Sequence, residues 1–86
     1  MSASSEAAVV LPAHLHARPA GQVVQAAARF QAQVEIEYAG KVANARGVLA
    51  VMALGATAGT TVTLRATGPD AAEAVDAVAA VLTEAR

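Results

Sequence analysis

Two short segments constrain this chain more than anything else in it. In Gln33–Tyr38, Val34, Ile36 and Tyr38 alternate strictly with Gln33, Glu35 and Glu37. In Thr61–Thr67, Val62, Leu64 and Ala66 alternate with Thr61, Thr63, Arg65 and Thr67. Strand side chains point to opposite faces with period two, so each segment predicts a strand buried on one face and wet on the other. A sheet built from them is covered on one side only, and every helix has to lie on that side.

The helices announce themselves by a different period. From Ala17 the apolar positions Ala20, Val23, Val24, Ala27 and Phe30 follow i, i+3, i+4, i+7 spacing, which predicts a helix ending near Phe30. A second stripe, Ala71, Ala74, Val75, Val78, Val81 and Leu82, starts after Asp70, with Glu73 spaced for a capping box. The run Ala7–Leu11, stopped by Pro12, predicts a first or edge strand, and Ala39-Gly40-Lys41 a hairpin turn into a returning strand at 42–45. Gly47 and Gly55 bracket one or two helical turns. The order is β-α-β-β-α-β-α, an α+β fold with a four-stranded antiparallel sheet and three helices on one face. Residues 1–6 are expected to be a disordered tail and 7–86 a single domain.

Composition serves mainly to exclude. With 86 residues there is room for one small core. Cysteine is absent, which removes disulfides, thiolate zinc sites and thiol nucleophiles and fits the cytoplasm, the expected location. Six basic residues against seven acidic ones, and Phe30 and Tyr38 as the only aromatic residues, leave no footprint for nucleic acid. No apolar run reaches the roughly 18 residues of a membrane span, and the first ten residues lack the basic start of a signal peptide. His14 and His16 have no further ligands at metal-binding spacing, so neither a metal nor a cofactor is expected.

What remains is Leu15-His16-Ala17-Arg18-Pro19-Ala20. His16 falls where the first loop meets the first helix, a place with unpaired backbone N–H groups and the positive end of the helix dipole. Pro19 fits the first turn because it has no N–H to leave unpaired, and Arg18 adds a guanidinium whose fork suits phosphate oxygens. A neutral imidazole in that setting can accept a phosphoryl group and stabilise the dianion. The helix end contributes about 0.3–1 kcal/mol to an exposed anion, and each charge-assisted hydrogen bond about 1.5–3 kcal/mol. Such a trap is moderate, as a carrier requires. His14, with no Arg-Pro following it, is taken as an ordinary loop histidine.

The motif at 15–20, the segment Glu37–Gly55 and the Gly68-Pro69-Asp70 helix start together resemble the HPr family, phosphocarriers of the bacterial phosphoenolpyruvate-dependent sugar phosphotransferase system. The resemblance covers essentially all of the chain after the tail and implies an open-faced β-sandwich. It also implies that His16 takes a phosphoryl group on Nδ1 from phosphorylated enzyme I and passes it to enzyme IIA components, with Arg18 stabilising the phosphate. The family docks partners on the short helix and the exposed side of the first helix, which maps to Val48, Leu49, Met52, Ala17, Gly21 and Gln25. Inward packing remains an equal alternative for Val48 and Met52, whereas Leu49 favours the interface. His14 stands where glycine is usual. Gly47 stands where many homologues carry a serine phosphorylated by an ATP-dependent kinase, so that switch is expected to be absent. A monomer is expected. Two other readings stay open: a phosphotransfer subunit of a dihydroxyacetone kinase or nitrogen-related branch, and a non-catalytic α/β binding module.

Overall fold

The two alternating segments lie side by side. In the computed structural model, which describes residues 3–85, β2 (Gln33–Tyr38) pairs antiparallel with β4 (Thr61–Gly68), Ile36 opposite Leu64 and Val34 opposite Ala66. β1 (Ala3–Val10) takes the other edge of β4, and β3 (Lys41–Asn44) the other edge of β2, giving an all-antiparallel sheet in the order β1-β4-β2-β3. α1 (Ala17–Ala27), α2 (Val48–Ala53) and α3 (Ala71–Thr83) complete the predicted β-α-β-β-α-β-α order.

The period-two rule decides the core. Val9, Val34, Ile36, Val62, Leu64 and Ala66 face the helices and are buried, against Val23 from α1, Val51 from α2 and Val78 and Leu82 from α3. Burying one such side chain contributes about 1.5–3 kcal/mol. The wet face carries charge instead. Arg65 donates from Nε to Glu6 at 2.8 Å and from Nη1 to Glu37 at 2.5 Å, tying the three strands β1, β4 and β2 together. Both carboxylates, Glu37 first, hold the Arg65 guanidinium more firmly protonated than usual.

Two sequence expectations need correction. The first strand begins at Ala3, four residues earlier than its apolar run suggests, because Ala3–Glu6 complete a backbone ladder with Arg65–Gly68. Nothing in the local hydropathy of Ser4 and Ser5 announces that pairing; it is supplied by β4. Of the expected tail, residues 1–2 lie outside the described residues. The second correction concerns Asp70. It occupies the N-cap of α3, yet its side chain caps nothing there and forms no capping box with Glu73. Its two oxygens instead accept the N–H groups of Gln31 at 2.9 Å and Ala32 at 2.8 Å, across the molecule in the α1–β2 loop.

The same corner explains Gly68, whose φ of +146° and lack of a side chain let β4 run against that loop: a Cβ there would sit 2.7 Å from Ala32 Cα. Elsewhere the differences are small. α1 stops at Ala27 and Phe30 is half-buried just beyond it. The β2–β3 hairpin turns on Ala39 and Gly40, both at positive φ (52° and 82°), which defines a type I′ turn and places β3 one residue earlier than expected.

Candidate functional site at the start of helix α1

His16 is the N-cap residue of α1, extended at φ −76° and ψ −173°, with its carbonyl accepting the Ala20 N–H at 3.0 Å. Its side chain does not cap the helix, so the ring is left to face solvent. Its own N–H is spent on the His14 carbonyl at 2.9 Å, and Pro19 has none to offer. The open donors of the first turn are therefore the N–H groups of Ala17 and Arg18, beside an exposed Arg18 guanidinium that has no ion pair among the described residues. Leu15 and Pro19, by contrast, are buried, and the Leu15 N–H reaches the Ala56 carbonyl at 3.1 Å. The exposed run His16–Arg18, held between buried Leu15 and Pro19, thus presents an imidazole and a guanidinium from an anchored stretch of backbone.

An open depression of about 380 Å³ adjoins the ring, lined by His14, Leu15, His16, Met52, Gly55, Ala56 and Thr57. Val48 and Met52 are each 38% exposed and Leu49 is 77% exposed; Val51 is the residue that α2 turns inward. Of the three exposed side chains, Met52 alone lines the His16 depression. On α1, Ala17 and Gln25 are exposed and Gly21 is half-buried. Gln25 is about 12 Å farther along the helix axis than Ala17 and lines a separate groove between α1 and α3 with Arg29 and Val81. Gly47 caps α2 at φ −106°, with no side-chain hydroxyl to offer.

Sequence reasoning missed the far wall of the site. Gly55, Ala56 and Thr57 lie some forty residues downstream of the motif and reach it because the α2–β4 loop must return to the strand that pairs with β1. His14 is an exposed loop residue whose Nδ1 accepts the Ala58 N–H at 3.0 Å and whose ring meets that of His16. No group of three or more candidate metal ligands occurs among the described residues, and no helix there is long and apolar enough to cross a membrane.

Fold and site define a class: a small open-faced α+β domain that exposes an imidazole and a guanidinium at the start of its first helix. Residues 3–84 match the family described as "PTS HPr component phosphorylation site", and the chain belongs to that HPr phosphocarrier family. Solved structures agree. The phosphocarrier protein HPr from Bacillus anthracis is 38% identical with a TM-score of 0.86, covering 93% of this chain and 98% of that one. The Mycoplasma histidine-containing phosphocarrier protein is 30% identical with a TM-score of 0.79, over 96% of this chain and 100% of the other. The Bacillus subtilis catabolite-repression protein Crh, described as a swapped, intertwined dimer, is 43% identical with a TM-score of 0.78, over 88% and 87%.

Proposed function

We propose that the protein relays phosphoryl groups between proteins, with His16 as the acceptor. The observation that carries this is the helix start itself: an exposed imidazole at the N-cap, two open N–H donors from Ala17 and Arg18, and an unpaired guanidinium within two residues. The lone pair of His16 Nδ1 attacks phosphorus, the bond to the donor breaks, and its electron pair leaves with the donor. Nε2 keeps its proton throughout. The phosphoryl oxygens, carrying the charge, face the N–H donors, the positive helix end and Arg18. When an acceptor nucleophile attacks in turn, the P–N electron pair returns to the ring.

The donor is enzyme I, phosphorylated from phosphoenolpyruvate, and the acceptors are enzyme IIA components, all in the cytoplasm. The protein works as a monomer, in keeping with a core that one chain closes by itself. Leu49 leads the docking surface, with Val48, Met52, Ala17, Gly21 and Gln25 around it; an exposed Met and small residues suit a face that binds several partners in turn. The relay is tested by incubation with enzyme I and phosphoenolpyruvate. One acid-labile, base-stable phosphate is expected on the parent and on His14→Ala, and none on a folded His16→Ala variant. Label on His16→Ala would refute the assignment.

A further inference from the structure

We infer that His14 is a positioning residue for His16, acting through a hydrogen bond to the opposite wall of the site. This rests on the phosphoryl-relay reading above and adds to it a residue that the motif itself does not include.

Three observations converge. His14 Nδ1 accepts the Ala58 N–H at 3.0 Å, linking segments 44 residues apart. An accepting Nδ1 carries no proton, so the neutral His14 ring holds its proton on Nε2. The ring thus fixed meets the His16 ring with centroids 5.3 Å apart and planes at 77°, an edge-to-face contact. Finally, the His14 carbonyl accepts the His16 N–H at 2.9 Å, so the same residue holds both the backbone and the ring of its neighbour.

The surroundings make this hold mechanical. Loop 11–15 is laced to loop 56–60 by Leu11 N–H to Thr60 O at 2.9 Å, Gly59 N–H to Leu11 O at 2.8 Å and Leu15 N–H to Ala56 O at 3.1 Å. The His14–Ala58 bond is the side-chain link in that lacing, and the ring it holds is the one that meets His16. An exposed histidine at an N-cap otherwise rotates freely, and each turn away from the Ala17 and Arg18 donors takes its nitrogen out of line for transfer. His14 limits that rotation.

Ala58 offers a control that leaves His14 in place. It is the second residue of the Thr57–Thr60 turn, which closes with Thr60 N–H on Thr57 O at 3.1 Å and has Gly59 at φ +84°. Ala58 itself is not among the residues at positive φ, so the turn is type II, whose second position favours proline. Ala58→Pro therefore deletes the donor in a turn that accepts the ring. His14→Asn provides the converse, because Asn Oδ1 occupies the place of His Nδ1 and can accept the same N–H without the aromatic contact.

The experiment measures transfer from phosphorylated enzyme I to the parent, His14→Ala, His14→Asn, Ala58→Pro and the His14→Ala/Ala58→Pro double variant, with ring ¹⁵N spectra of each. The parent should show His14 protonated on Nε2. His14→Ala and Ala58→Pro should each lose about threefold to tenfold in kcat with KM unchanged, the net worth of one hydrogen bond. The double variant should lose no more than either single one, and His14→Asn, which keeps the loop bond but not the ring contact, should stay below the parental rate. A labelled parent whose variants all transfer at its rate, or a parent His14 protonated on Nδ1, overturns the positioning role. An unlabelled parent overturns the relay reading instead, and the positioning role with it.

Discussion

Asp70 shows how one side chain can be identified by its position and still be assigned the wrong partner. Asp before an apolar helical stripe marks an N-cap, and Asp70 is one, but its carboxylate is spent on Gln31 and Ala32. The Gln31 N–H, with smaller help from Ala32 and the Arg46 charge, holds its carboxyl below the usual carboxylate range against the opposing pull of partial burial. A lowered folded-state pKa stabilises the fold above the unfolded value of about 4 and loses that contribution as pH falls through the folded one. Asp70→Asn should therefore be less stable than the parent at pH 7, and the two should converge on acidification below pH about 4. Urea denaturation across pH checks this; a stability gap independent of pH would assign the loss to packing. Sequence could locate Asp70 because caps are local. It could not show its partner, which another loop supplies.

At the scale of elements, α2 was legible in extent but not in orientation. Six residues are too few for a hydrophobic stripe to have a unique phase, so Val48 and Met52 could have turned inward until the fold put Val51 there. The strands carried a stronger signal: with period two, one buried residue fixes the rest, and Val34, Ile36, Val62, Leu64 and Ala66 all face the core. The helix start matters for regulation. Asn44 Oδ1 accepts the Arg46 N–H at 2.9 Å and its carbonyl accepts the Gly47 N–H at 3.0 Å, holding Gly47 at the N-cap. A Cβ at Gly47 would meet Ala50 Cβ at 3.4 Å and Asn44 O at 3.6 Å, ordinary contacts. Gly47→Ser should fold at least as well as the parent, since serine gains a few tenths of a kcal/mol at an N-cap. Incubated with ATP and HPr kinase, it should gain one phosphate by mass spectrometry while the parent gains none. That phosphate would place about −1.5 to −2 charge beside exposed Leu49. Modification of the parent would show that the switch had moved to another hydroxyl.

For the whole molecule, β1 is the piece most dependent on the rest. Its strand character at Ala7–Val10 was readable from composition, but Ala3–Glu6 become strand only through Arg65–Gly68. Removing residues 1–10 should therefore leave β4 with an open edge and α3 without its covering strand, and abolish cooperative urea unfolding. Adding a peptide of residues 1–11 should restore it, because an edge strand can be supplied in trans. A truncated chain that unfolds at the parental midpoint would show β1 to be dispensable. Strand order has one more consequence. A ribosome makes β1 first, yet its only partner is the last strand to appear, with β2, β3 and two helices emerging in between. Until residues 61–68 have been made, the segment that becomes β1 has neither of its edges paired. Completion of the sheet thus waits for β4, and until then the nascent segment stays open to stray pairing.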